Sequence, residues 1–295
     1  WVPKWGHDRI SNMMQTRPDW CLSRQRAWGV PIPAFSCDGC DAFHADPAVI
    51  AHVEAIFRER GSDAWYELSE SELLPPGYTC ACGSTAFTRD DNILDVWFDA
   101  GCSHDAVLNE RGLGWPADLY VEAVDQHRGW FQVSLITSVA TTGQAPYRQV
   151  LTHGLILDQH AKKMSKSLGN VVSPDEAIKK HGADILRLLF ASVDFTADTC
   201  FSQNLVTPLL ESYRKIRNTC RFLLGNLAGF DPARDALPVE ALPELDRWIL
   251  HRGQQLLARS LAAYDEFAFH HVVQGLVNFC AVDLSALYLD VGYRY

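Results

Sequence analysis

Residues 153–174 read HGLILDQHAKKMSKSLGNVVSP, with three lysines and two serines in the six positions from Lys162 to Ser167. Ammonium and hydroxyl groups at that density suit a polyanion. The run follows an apolar, strand-like segment through a short turn at residues 158–161, which places it at the carboxyl end of a strand. A flexible lysine loop in that position can close over a triphosphate, its charges meeting those that develop on a pyrophosphate leaving group. The plain alternative is a solvated, lysine-rich face. No G-x-x-x-x-G-K-[ST] occurs in the chain, so a P-loop is excluded.

Two further clusters could do chemistry. Cys37-x-x-Cys40 and Cys80-x-Cys82, the latter followed by Gly83, offer four thiolates from two tight turns. That donor set makes a closed tetrahedral site suited to structural zinc, with free cysteines or disulfides as the alternatives. The C-x-C turn is tighter than the usual C-x-x-C. Arg214, Arg217 and Arg221 fall at i, i+3 and i+7, one stripe of a helix, and read either as a solvated face or as phosphate contacts.

The elements that must position these residues follow from periodicity. NILDVWF (92–98), LYVEAV (119–124) and QVLTHGLIL (149–157) are short, apolar and β-rich, as buried strands are, and residues 128–140 read as the helix between the last two. Ser173-Pro174-Asp175-Glu176 is a capping box with proline at the first helical position, opening a helix to about Ser192. Strands alternating with helices imply an α/β, doubly wound parallel sheet with ligands at the carboxyl ends of its strands. Between the cysteine pairs, Asp46 and Pro47 open a helix whose apolar side is Ala48, Ala51, Ile56 and Phe57, and Gly61 ends it. Residues 1–36, rich in Trp, Arg and Pro, suggest an extended segment around residues 31–33. Beyond about 203 the β signal gives way to helical periodicity over 204–228, 243–265 and 267–290, a helical bundle.

The totals agree with a globular chain. Of 295 residues 47% are hydrophobic, and 26 basic against 36 acidic side chains leave a net charge of −10. That balance argues against a general nucleic-acid coat but permits local basic grooves. Residues 161–180 hold five lysines against two acids, and residues 211–221 hold four basic groups against one, +3 in each case. No run is read as reaching the about 18 apolar residues of a membrane span. Nine cysteines without secretory features suggest a reducing, cytoplasmic setting. Position 1 is Trp, and the chain reads as a piece of something longer.

KMSKS (163–167) resembles the signature loop of the class I aminoacyl-tRNA synthetases. DVWFDAG (95–101), DQHRGWF (125–131) and WCLSRQRAWGVPIP (20–33) are similar to the isoleucyl branch of that family, in the family's order, from residue 1 to about 290. The resemblance implies ATP-dependent activation of L-isoleucine to isoleucyl-adenylate, then transfer to tRNA(Ile), with ATP and Mg²⁺ as substrate and a monomer at full length. It also implies the architecture: a return segment at 1–36, a zinc-knuckle subdomain at 37–90, the second half of a Rossmann-type catalytic domain at 91–202, and the start of a helical tRNA-binding domain at 203–295.

Carried over residue by residue, the resemblance assigns Lys163 and Lys166 to the phosphates, Lys166 as the main transition-state contact, with Ser165 and Ser167 shaping the loop. Glu122, Asp125 and Gln126 would face the adenylate, Trp97 and Trp130 would line the side-chain slot, and His153 and Gly154 would border the adenine. From the residues alone, Glu122 and Asp125 read equally as a helix-capping pair and the two tryptophans as core. Some isoleucyl enzymes carry a zinc site where Cys37, Cys40, Cys80 and Cys82 stand, and the family's helical domain makes tRNA contact by Arg214, Arg217 and Arg221 as natural as solvation. Three positions depart from the family pattern: Ala100 replaces its serine, and Ala123 and Ala161 replace glycines. A Cβ where φ is positive costs roughly 1–2 kcal/mol. The family's H-x-G-H motif and editing insertion are not found, which identifies the chain as an internal fragment needing an N-terminal part for activity. A noncatalytic tRNA- or zinc-binding module with the same ancestry, or a valyl or leucyl relative, is the competing reading.

Overall fold

A computed structural model describes residues 1–294, which divide into two compact units, the first Trp1–Thr152 and the second beginning at His153. The first opens with helix α1 (Trp5–Gln15), which buries Gly6 and Ile10. The extended segment expected around residues 31–33 lies outside this helix, which composition conceals by drawing attention to Trp and Pro and away from the helical spacing of Gly6 and Ile10. Strand β1 (Ser23–Arg24) is followed by β2 (Phe35–Cys37), β3 (Phe43–His44), α2 (Pro47–Arg60) and β4 (Phe87–Arg89). Strands β3, β2 and β4 form an antiparallel sheet in that order.

Helix α2 begins as expected. Asp46 accepts the Ala48 and Val49 N–H groups, Pro47 takes the first turn, and Gly61 at φ 79° ends the helix. Its buried side is Val49 and Val53, whereas Ala48 and Ala51 are exposed and Ile56 and Phe57 lie at the margin. The apolar side was read about one position out of phase. Val49, Val53, Phe35, Trp65, Leu73 and Phe87 form a core that also encloses Cys37 and Cys80.

Next come β5 (Ile93–Leu94), antiparallel to β1, and helix α3 (Val96–Gly101). The expected strand over residues 92–98 thus ends after two residues. Asp95 is the reason: its carboxylate accepts the Trp97 N–H (3.1 Å) and caps a helix inside an apolar run. Strand β6 (Ala117–Ala123), helix α4 (Trp130–Thr142) and strand β7 (Tyr147–His153) follow, with β6 and β7 paired and Val2 bridging Leu151 in parallel. Helix α4 buries Ser134 and Thr137 without leaving their hydroxyls unpaired, since each donates to the carbonyl four residues back. Gly101 lets α3 lie close on α4; a Cβ there would stand 3.1 Å from the Val133 carbonyl oxygen.

In the second unit β8 (Ile156–Leu157) leads through the lysine loop to α5 (Pro174–His181) and α6 (Ala183–Ser192), and β8 pairs in parallel with β9 (Thr199–Cys200). The expected strand 149–157 breaks at Gly154, whose N–H donates to Phe195 O (2.8 Å) and whose missing Cβ would come within 2.4 Å of the Ala197 backbone. The capping box at Ser173 and Glu176 is present, but the helix it opens is divided by Gly182 at φ 90°. Among the described residues, parallel pairing occurs between β8 and β9 and at the Val2–Leu151 bridge, in separate small sheets and not one continuous one.

Helices α7 (Gln203–Gly225), α8 (Glu244–Asp265) and α9 (Phe269–Asn278) make the bundle, and α9 runs on with wider turns over Phe279–Leu289. Ile185 and Leu189 of α6 pack with Val206 and Leu209 of α7. The helical run Phe269–Gly292, 24 residues containing an 18-residue window of mean hydropathy 1.5, is by length and composition sufficient to cross a membrane, which corrects the expectation that no stretch reaches that size. Its interspersed polar residues hid it from a search for unbroken apolar runs. They are used inside the bundle: Asp283 accepts from Arg252 of α8 (3.1 Å), and the Ser285 hydroxyl lies 3.2 Å from that of Thr219 of α7.

Candidate functional site

In the first unit, the strand-to-helix turn after β6 gathers several of the expected residues. Gln126 Oε1 accepts the Trp130 N–H (2.9 Å), so this side chain caps α4. Gly129 between them is required by space, since a Cβ would meet Gln126 Oε1 at 2.3 Å and the Trp97 ring at 3.0 Å. Trp97, 43% exposed, therefore stands over the start of α4 beside Gln126. Trp130 is held differently. Its ring stacks on Tyr120 (centroids 4.0 Å apart, planes within 4°) and its Nε1–H donates to Ser103 Oγ (3.0 Å).

Glu122 and Asp125 are exposed, and Glu122 accepts the Ala123 N–H (3.1 Å). Ala123 itself is extended, at φ −72°, so replacing glycine there brings no backbone strain. The turn is fixed from behind by His127, which is fully buried, donates Nδ1–H to Val124 O (3.0 Å) and lies between the rings of Trp1 and Trp5. Burial lowers its pKa and keeps it neutral. Asp95 supports Trp97 in a way that sequence reading missed. Besides capping α3 it accepts from Trp20 Nε1 (2.9 Å) and Arg24 Nη2 (2.7 Å), joining the tryptophan-rich N-terminal segment to this site. The signal was an aspartate inside an otherwise apolar run.

The four sulfurs of Cys37, Cys40, Cys80 and Cys82 all lie within 4.8 Å of one another, with Cys37–Cys82 and Cys40–Cys80 at 3.6 Å. Four thiolates about 2.3 Å from a central ion stand about 3.8 Å apart, so the donor set fits a tetrahedral metal. Burial opposes ionisation of Cys37, but the Gly39 N–H and the thiols of Cys80, Cys82 and Cys40 outweigh it and bring its pKa down to about 7.

In the second unit the lysine loop is tied at its neck. Asp158 Oδ1 accepts the His160 and Lys162 N–H groups (2.9 Å each), and Oδ2 accepts from Asn170 Nδ2 (2.8 Å). Asn170 Oδ1 accepts the Ser165 N–H (2.9 Å). These contacts, the Asn170 bond foremost, hold the Asp158 carboxyl below its ordinary pKa. Lys163, Lys166 and Ser167 are exposed, and among the described residues neither ammonium has an ion pair. Ser165 Oγ lies 3.1 Å from Ser167 Oγ and accepts the Leu168 N–H, capping a single turn over Lys166–Leu168. His153 Nδ1 lies 2.7 Å from Gly154 O, and Gly154 is packed against residues 195–198.

Ala161 has φ 58°, the left-handed conformation expected where the family carries glycine. Ala161→Gly should therefore stabilise the protein by about 1 kcal/mol, less the entropy that glycine adds to the unfolded chain. Urea denaturation measures this, and an unchanged or lowered midpoint would show that the turn carries no strain.

Arg214, Arg217 and Arg221 are all exposed on α7; Arg214 is ion-paired with Glu211 (2.6 Å), and the other two have no ion pair among the described residues.

The model of the class I tRNA synthetases for I, L, M and V matches residues 1–202. The chain belongs to this family. Residues 246–293 match the anticodon-binding domain of tRNA ligases. The isoleucine–tRNA ligases of Moorella thermoacetica and Geobacter sulfurreducens are 55% and 54% identical to this synthetase chain over 99% of its length. The chain spans about a third (32%) of the length of these curated relatives. Among solved structures, the ternary LeuRS–tRNA–LeuAMS complex of Agrobacterium radiobacter K84 has a TM-score of 0.64 at 20% identity, covering 96% of this chain and 38% of its own. Methionyl-tRNA synthetase of Mycobacterium tuberculosis with methionyl-adenylate has a TM-score of 0.64 at 20% identity, covering 99% and 48%. The fold is that of a class I synthetase catalytic domain with helical elements.

Proposed function

We propose that the chain is the KMSKS-bearing part of an isoleucine–tRNA ligase, which forms isoleucyl-adenylate from L-isoleucine and ATP and passes the acyl group to tRNA(Ile). The observation that carries this reading is the lysine loop: Lys163 and Lys166 project free ammoniums from a backbone tied at its neck, within a chain more than half identical to isoleucine–tRNA ligases. In the first step the isoleucine carboxylate attacks the α-phosphate of ATP, supplied with Mg²⁺, and pyrophosphate leaves. Lys163 and Lys166 hold its phosphates as their charge grows. Glu122 and Asp125 are exposed carboxylates able to meet the α-ammonium or ribose. Gln126 is placed beside them, although its Oε1 already serves α4. Trp97 provides one wall of the side-chain slot and Trp130, locked by Tyr120 and Ser103, a second. His153 and Gly154 are assigned to the adenine side.

Cys37, Cys40, Cys80 and Cys82 would hold structural Zn²⁺, which supplies a crosslink between the two turns of the cysteine subdomain and no step of the reaction. Arg217 and Arg221, with Arg214 once released from Glu211, would contact tRNA phosphates. We further assign the protein to the cytoplasm, where tRNA is charged.

The test is a chimaera in which this chain replaces the matching third of the Moorella thermoacetica enzyme. Isoleucine-dependent ATP–pyrophosphate exchange is expected, with valine, one methylene smaller, activated less well by a factor of about 10–200. Exchange driven by leucine or methionine in preference to isoleucine would overturn the assignment.

A further inference from the structure

The lysine loop is short of apolar anchorage. Met164 is only half-buried, Leu168 is 66% exposed, and a cavity of about 500 Å³ opens behind the neck between Asp158, Asn170, Glu176, Lys180, His181 and Gln203. What holds the loop is polar. Asp158, buried at 9% exposure, ties the incoming backbone at His160 and Lys162 and reaches across to Asn170. Asn170 in turn receives the Ser165 N–H on Oδ1 and donates from Nδ2 to Lys163 O (3.3 Å). Only an amide side chain can fill this place, donating to a carboxylate with one end and accepting a backbone N–H with the other. The contacts at Lys163 O and Ser165 N bracket Met164, two residues before Lys166.

We infer that Asp158 and Asn170 form a clasp that sets the position of the Lys166 ammonium, as positioning residues for the activation step. The inference rests on the proposed function. The clasp touches no substrate; it acts through the backbone of residues 160–165, and its effect appears where charge develops on the phosphates. Displacement of a reacting group by about 1 Å costs on the order of 10²-fold in rate, so loosening the loop should lower kcat for adenylate formation while leaving isoleucine binding in place.

The arrangement permits an exchange test. Asn170→Asp sets two carboxylates against each other, and Asp158→Asn sets amide against amide. In the double variant D158N/N170D a donor again faces an acceptor, the backbone N–H groups of His160, Lys162 and Ser165 keep their oxygen partners, and only the long bond to Lys163 O is lost. In the full-length enzyme carrying this segment, each single variant is expected to reduce kcat for isoleucine-dependent pyrophosphate exchange by about 10²-fold, with KM for isoleucine unchanged. The exchanged pair should recover most of the loss, the non-additivity of contacting groups. Hydrogen exchange at the His160, Lys162 and Ser165 amides gives a readout independent of activity: about tenfold faster in the single variants than in the parent or the double variant.

Singles with parental kcat, or a double variant no better than the worse single, would overturn the clasp. Lys166→Ala in the same enzyme separates the two levels of argument. If it leaves exchange intact, the functional reading fails; if it abolishes exchange while N170D does not disturb it, only the clasp fails.

Discussion

Lys166→Ala, in the full-length enzyme carrying this segment, is expected to lower kcat for isoleucine-dependent pyrophosphate exchange by about 10²–10³-fold, the range for removing one preorganised transition-state contact. Isoleucine binding should change little. The reason lies in the exposure of the side chain. Lys166 stands on a single turn capped by Ser165, points no charge at any carboxylate among the described residues, and so is not consumed by a structural ion pair. Its partner is charge on the departing pyrophosphate, which exists fully only as the bond to the α-phosphate breaks. An interaction of that kind raises kcat more than it lowers KM. Removing Lys163 as well should cost less than the product of the two single losses, because both ammoniums address one polyanion. Steady-state exchange kinetics beside equilibrium isoleucine binding decides the matter. Equal losses in both would make Lys166 a ground-state anchor and move the transition-state role elsewhere.

The legible parts of this molecule are those where a local rule governs. Asp46-Pro47 and Ser173-Pro174-Asp175-Glu176 open helices because the cap is written in adjacent residues and no distant contact is needed. Strand β6 and helix α4 stand where their periodicity places them. The left-handed turn at Ala161 is legible through the family resemblance, which places glycine at this position.

Misreadings occur where tertiary contact overrides local pattern. Residues 92–98 have the composition of a strand, yet after Leu94 Asp95 caps a helix at Trp97 and is itself held by bonds to Trp20 and Arg24, more than 70 residues away. Gly154 interrupts an apolar run because residues 195–198 cross it. Residues 1–36 conceal a helix that is stabilised by packing Gly6 against Trp1 and His127 rather than by propensity. At the candidate site the side chains for which a chemical role is proposed are read from their motifs. Those that hold them, Asp95, Asp158 and Asn170, are not, because an aspartate or asparagine in a loop announces a hydrogen bond but not its partner.

The cysteine subdomain should take up one equivalent of zinc, and losing it should unfold residues 37–90. Two of the four donors, Cys37 and Cys80, are built into the core with Phe35, Val49, Trp65 and Phe87, while Cys40 and Cys82 lie outside it. A metal at the centre would therefore join the sheet β2–β3–β4 to the turn at residues 80–83, whose own backbone bonds, Cys80 N–H to Ser84 O and Gly83 N–H to Cys80 O, close the turn on itself. Without metal, thiols that crowd within 4.8 Å share protons, and the Gly39 N–H together with the neighbouring thiols favours the thiolate of Cys37. Apparent binding energies for four-ligand zinc sites are on the order of 10–16 kcal/mol near neutral pH, far above what so small a core supplies alone. Cys37→Ser should then abolish stoichiometric binding and melt the subdomain. Cys82→Ser, at the exposed edge, should weaken binding but leave the sheet formed. Because the ligands bind as thiolates, affinity should rise with pH and fall as the medium is acidified. Metal analysis, chelator titration and amide exchange over residues 37–90 measure these outcomes together. A purified protein with four reactive thiols, no bound metal and unaltered protection of Val49 and Val53 would show that the sulfurs meet for packing alone.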